Sequence, residues 1–123
     1  MGKEYLIDTN AVIDYLDNKL PAKANAFIDG NRPNISVITR IELLAWSGAD
    51  ERQLQILKEF VDQSDIFNLQ EDIILHTINI RKSLKTKLPD AIIAATAIYL
   101  DLPLLTFDSD FARLPQLKLF ILE

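Results

Sequence analysis

The chain has no cysteine, a single histidine and a deficit of positive charge. Without cysteine there is no disulfide, thiolate metal site or thiol nucleophile, which is compatible with a reducing compartment. A cytoplasmic location is expected. His76 sits inside a helical pattern beside Leu75, far in sequence from any candidate nucleophile, so packing or the surface is its expected place. Ser36, Ser47 and Ser109 have no base in local sequence, and a serine triad finds no support. No secretory signal is visible ahead of the first strand. The longest apolar run, around 91–100, is far short of the ~18–20 residues a membrane span needs, so no membrane role is expected. Internal repeats, low-complexity tracts and two-residue hairpin signals are missing too.

What remains is an ordinary globular composition. The 123 residues are 49% hydrophobic and 25% charged, which suits one domain, 1–123, with one real core. Thirteen basic residues against 18 acidic give a net charge of −5, which taken alone counts against a nucleic-acid partner. If several acids are metal ligands the balance changes, since two divalent cations bring the formal total of −5 to −1. The basic residues are also unevenly spread. Arg81, Lys82, Lys85 and Lys87 form one cluster, either a solvated helix end that offsets the macrodipole or a contact for RNA.

Apolar patterning places strands at 4–7, 34–37, 66–69, 103–106 and 117–122, with helices at 9–16, 22–29, 49–63, 71–85 and 90–101. A further helix is capped by Thr39, carries Glu42 and closes at Ser47-Gly48. The helix at 71–85 is expected to turn Ile74, Leu75, Ile78 and Ile80 inward. The helix after Pro89 is rich in alanine and nearly all apolar, so it belongs against the sheet. Strands separated by helices predict an α/β fold, a parallel sheet with helices on both faces and right-handed crossovers. Such sheets bind ligands beyond the carboxyl ends of their strands.

Asp8, Glu42, Asp90 and Asp108 all stand at that edge. Each has a structural explanation when read singly. Asp8 can cap the helix behind it, although Thr9 and Asn10 serve equally well. Glu42 completes a capping box with Thr39, and Asp90 gains from the helix dipole. One of Asp108 and Asp110 caps the turn that follows, which leaves the other available. Together they need another reason. Two unit charges at ~5 Å repel by about 3 kcal/mol at an effective dielectric near 20. A hard cation removes that cost, and oxygen ligands without cysteine select Mg²⁺ or Mn²⁺.

At these residues the chain resembles the PIN-domain family, and within it the VapC-type toxins of type II toxin–antitoxin pairs. Asp8-Thr9-Asn10 before an apolar helix looks like the family's first motif. Ser36 through Leu44 resembles its second, Leu88 through Ala97 its third, and Leu102 through Phe111 its fourth. The resemblance implies a PIN-like three-layer sandwich with a five-stranded parallel sheet in order 3-2-1-4-5. It also implies a metal-dependent ribonuclease, homodimerisation and a cognate antitoxin that covers the active site. Asp8, Glu42 and Asp90 match the family's acidic positions directly. Asp108 and Asp110 compete for the fourth, with Asp108 favoured by its place after Thr106.

The expected reaction is Mg²⁺- or Mn²⁺-assisted hydrolysis of RNA phosphodiesters. Asp8, Asp90 and Asp108 would hold the metal. Glu42 would orient or deprotonate the attacking water, or complete a second metal site. Asn10, Thr106 and Asp110 would support the ligands, while Arg81, Lys82, Lys85, Lys87 and, more weakly, Arg40 would position the RNA backbone. Two alternatives come from other classes. A phosphoryl-accepting receiver wants an adjacent acidic pair after the first strand, but Asp8 lies between Ile7 and Thr9. A dehalogenase-type phosphatase wants a second aspartate two places on and meets Asn10. The remaining alternative is a non-catalytic RNA- or protein-binding module of the same fold that keeps its acids for stability.

Overall fold

A computed structural model describes residues 4–120. Its elements run β1 (Leu6–Ile7), α1 (Thr9–Leu16), α2 (Ala22–Gly30), β2 (Asn34–Ser36), α3 (Val37–Leu44), α4 (Glu51–Asp62), β3 (Asp65–Phe67), α5 (Glu71–Ser83), α6 (Leu88–Leu100), β4 (Leu104–Leu105) and a 3₁₀ turn (Ser109–Arg113). The described strands form one parallel sheet in order β3-β2-β1-β4.

Both central strands are sealed from water, as expected for a parallel sheet covered on each face. Side chains alternate across it. Tyr5 and Ile7 enter one core with Val12 of α1, Ile28 of α2, Leu43 of α3 and Leu57, Phe60 and Val61 of α4. Leu6 and Leu104 enter the other with Ile93, Ala94 and Ala97 of α6 and with Phe111 and Leu114. From Ala91 to Ala97 every residue of α6 is buried, and its alanines let the helix lie close against the sheet. Thr96 is tolerated there because its hydroxyl donates to the Ile92 carbonyl at 2.7 Å.

The expected fifth strand at 117–122 is corrected to a single parallel bridge, Leu104 with Leu119. The Leu104 amide donates to the Lys118 carbonyl and the Phe120 amide to the Leu104 carbonyl, each at 2.8 Å. Pairing stops at once because β4 is two residues long and Thr106 leaves the sheet to serve the site described below. This bridge lies beside β4, where the fifth place of the order 3-2-1-4-5 would be; residues 121 and 122 lie outside the described residues.

Two helix expectations are also corrected. The cap of α3 is Ser36, whose Oγ accepts from the Ile38 amide at 3.2 Å; Thr39 lies inside the helix, fully buried. On α5 the inward stripe is Ile73, Thr77 and Ile80, whereas Ile74, Leu75 and Ile78 are exposed. The run of isoleucines fits two adjacent stripes equally well. Thr77 decides between them by donating to the Ile73 carbonyl at 2.8 Å, which lets a polar residue sit inside. Helix α6 starts at Leu88, two residues before the expected start, with Pro89 in its first turn where no N–H is needed.

Candidate functional site

Asp8 follows β1 directly and is 3% exposed. Its Oδ1 accepts from the Ala11 amide at 2.9 Å, so Asp8 is itself the cap of α1, and neither Thr9 nor Asn10 takes that role. Its Oδ2 accepts from the Thr106 hydroxyl at 2.7 Å. Thr106 in turn accepts from the Asp108 amide at 3.1 Å, which fixes the chain where it leaves β4. Asp108 holds the next turn, its Oδ1 accepting from the Asp110 amide at 2.9 Å. The cap therefore belongs to Asp108, which keeps its second oxygen free, while Asp110 lies exposed on the rim.

Glu42 is anchored from the neighbouring helix. The Thr9 hydroxyl donates to Glu42 Oε1 at 2.7 Å, and Thr9 and Thr39 hydroxyls lie 3.0 Å apart. Thr9 has one proton and gives it to Glu42, so Thr39 must donate to Thr9. The relay Thr39–Thr9–Glu42 replaces the capping box expected for Glu42. Sequence reading missed Thr9 and Thr39 in this role because the partners are thirty or more positions apart.

Asp90 stands half-buried in the first turn of α6. Burial, then the charges of Asp108 and Glu42, hold its carboxyl above the ordinary range, with Lys87 pulling the other way and Asp110 adding to the rise. Asp8 is pushed up from 3.8 to about 6, chiefly by desolvation. The Thr106 and Ala11 hydrogen bonds oppose that rise, and Asp90 and Asp108 add to it. The four acids thus share one electrostatic site, with Asp108 acting on both Asp8 and Asp90.

Among the described residues no three acids converge closely enough to make a closed cage for an ion. The arrangement still fits Mg²⁺ or Mn²⁺, because Mg²⁺ usually takes one or two carboxylates and keeps several waters. The donor set is oxygen only, and a cation would offset the desolvation cost and mutual repulsion that raise Asp8 and Asp90. Asn10 is exposed next to Asp8.

Beside the acids lies a cleft of about 120 Å³, bordered by Lys85, Lys87, Asp90, Asp108, Asp110 and Arg113. Lys82 and Arg40 are exposed outside that border. Arg81 is turned to the protein, its Nη1 donating to the Thr86 carbonyl at 2.8 Å. Arg113, not foreseen from the sequence, also reaches the backbone here.

A family model described as the PIN domain matches residues 5–117. The chain belongs to the PIN-domain family. Its likeness to solved structures places it with VapC-type PIN domains. It is 32% identical to a chain in a toxin–antitoxin complex from Klebsiella pneumoniae, with a TM-score of 0.76 and coverage of 93% of this chain and 95% of that one. It is 26% identical to a chain of a DNA-bound VapBC from Salmonella typhimurium, with a TM-score of 0.84 and coverage of 96% and 97%. VapBC-1 from nontypeable Haemophilus influenzae shares the fold at 24% identity, with a TM-score of 0.81 and coverage of 94% and 96%. No curated protein is matched by the sequence.

Proposed function

We infer that this PIN domain is a Mg²⁺- or Mn²⁺-dependent endoribonuclease that acts in the cytoplasm as the toxin of a toxin–antitoxin pair. The observation that carries the reading is the gathering of four acids at one end of the sheet, with Thr106 fixing Asp8 and the Asp108 backbone and Thr9 fixing Glu42; the cost of that gathering supports it. A non-catalytic module that keeps its acids for stability would lower their pKa values by pairing them. Here Asp8 and Asp90 are raised, so their ionised forms burden the fold at neutral pH. Carboxylates held at such a cost suit a site completed by a cation.

Asp8, Asp90 and the Asp108 oxygen not used by the Asp110 amide would hold the ion. When bound, it supplies Lewis-acid stabilisation of charge on the phosphoryl and leaving oxygens. Thr106 fixes Asp8 and Asp108 relative to each other. The hydroxyl relay from Thr39 through Thr9 leaves Glu42 one oxygen directed by the relay and one free to accept a proton from the attacking water. Lys85 and Lys87 border the acids and face the RNA backbone.

Two surfaces support the proposed partners. The apolar groove lined by Ile13, Leu16, Trp46, Ile56 and Leu57 suits a helical segment of a cognate antitoxin, in keeping with the toxin–antitoxin complexes among the structural relatives. The exposed stripe Ile74, Leu75 and Ile78 on α5 suits a second copy of this chain. The deciding experiment is RNA cleavage with Mg²⁺ or Mn²⁺ by purified Asp8→Asn and Asp90→Asn. Cleavage should be lost in both; folded variants that cut as well as the parent would overturn the assignment.

A further inference from the structure

Between α5 and α6 the chain crosses a short loop, residues 84–87, that carries Lys85 and Lys87 to the rim of the acid site. Its ends belong to the flanking helices: the Leu84 amide donates to the Ile80 carbonyl and the Lys87 carbonyl accepts from the Ala91 amide, each at 2.9 Å, and Leu84 packs on the core. The Thr86 amide donates to the Leu84 carbonyl at 3.0 Å, and the buried Thr86 hydroxyl makes no hydrogen bond. Two arginines grip it from outside. Arg81, on the last turn of α5, donates from Nη1 to the Thr86 carbonyl at 2.8 Å. Arg113, at the end of the 3₁₀ turn, donates from Nη2 to the Lys85 carbonyl at 3.1 Å and from Nε to the Asp110 carbonyl at 3.4 Å.

A guanidinium carries donors in a fixed fork, so one arginine can tie two backbone segments at a set spacing. Arg113 joins the segment that carries Asp108 and Asp110 to the loop that carries Lys85 and Lys87. Lys87 is near enough for its charge to be felt at Asp90, while Lys85 and Lys87 border the same cleft as Asp90 and Asp108. Of the basic cluster seen in the sequence, Arg81 is hydrogen-bonded to the loop backbone, and among the described residues Lys85 and Lys87 make no ion pair.

We propose that residues 84–87 form a phosphate-binding rim that seats the RNA backbone beside the acid site through Lys85 and Lys87, and that Arg113 is the positioning residue that sets the rim's distance from the acids. This rests on the nuclease reading above. Arg113 acts through the loop and touches no substrate. Lysine in its place keeps the charge but offers one nitrogen on a flexible stem instead of two held at a fixed planar spacing.

The test measures binding of a short fluorescent single-stranded RNA of mixed sequence by anisotropy in EDTA, across a salt series. Lys85→Gln/Lys87→Gln should weaken binding about tenfold and reduce the log–log salt slope by about 1.4, the value for two phosphate contacts to a single strand. Arg113→Lys should lose as much affinity as Arg113→Gln, and neither should lose more once both lysines are gone. Melting curves establish that each variant is folded; all these side chains are exposed. Three results overturn the proposal: full affinity in the lysine-free loop, parental affinity in Arg113→Lys, or an Arg113 effect that adds fully to that of the lysines. Cleavage by Asp8→Asn is run alongside. If that variant cuts normally, the nuclease reading falls and the rim with it. If it is inactive while the lysine-free loop binds RNA fully, the rim alone falls.

Discussion

Replacing Asp8 with asparagine should make the metal-free protein more stable at neutral pH. The Asp8 carboxyl is raised from 3.8 to about 6, chiefly because it is buried. The folded value lies above the unfolded one, so the native state keeps a proton in this window that the unfolded chain has released. The stabilising contribution is fully present below 3.8 and is lost as pH rises through about 6. At about 1.4 kcal/mol per pH unit, the difference amounts to about 3 kcal/mol. Asparagine has no charge to bury and can still accept from the Ala11 amide as a cap. Its amide can donate to Thr106 Oγ1 where the carboxylate accepted, so that contact survives with reversed polarity. Asp8→Asn should therefore melt near the parent at about pH 4 and up to roughly 10 °C above it at about pH 7.5. Thermal unfolding in EDTA across that range is the assay. A variant whose Tm runs parallel to the parent's at every pH would refute the idea that burial of this charge burdens the fold.

Three further perturbations test the acid site and the α5 surface. Mg²⁺ or Mn²⁺ at about a hundred times its Kd should stabilise the protein by about 2.7 kcal/mol, and by less at pH 5, where Asp8 must first lose its proton; differential scanning calorimetry at the two pH values checks this. Thr9→Val removes the centre of the hydroxyl relay and leaves the buried Thr39 hydroxyl without its partner, which should cost about 1–3 kcal/mol in denaturant unfolding. The same variant should cleave RNA about 10–100-fold more slowly, because Glu42 loses its anchor. Leu75→Glu places a charge on a side chain that is 49% exposed, so the fold should keep its stability within about 0.5 kcal/mol while sedimentation shifts from dimer to monomer; an unchanged dimer would exclude the α5 stripe as its interface.

The order of strands and helices was legible because it rests on local patterning. Leu6 and Ile7 read as a buried strand, the alanine-rich α6 read as the helix pressed on the sheet, and the positions of Asp8 and Asp108 after strand ends followed directly. Patterning failed where two local solutions were equal. On α5 adjacent isoleucines offered two stripes, and Thr77, polar in sequence, took the buried one by bonding to its own helix. The last strand failed for a different reason, since an apolar run shows that a segment can pair but not how much edge β4 leaves for it.

For the site, residue types and strand-end positions singled out Asp8, Glu42, Asp90 and Asp108, and the structure brings their charges within reach of one another. Sequence could not tell what holds each acid. Asp8 meets Thr106 across 98 positions, Glu42 meets Thr9 across 33, and Arg113 meets Lys85 across 28. Local signals such as caps and hydrophobic periods reach about one helical turn, whereas the first two of these contacts exist because β1 lies between β2 and β4 in the sheet. The sequence by itself determined a parallel α/β domain with an acidic edge. The tertiary structure decided which hydroxyl fixes each carboxylate, and which cations are tied to the backbone or left facing the cleft.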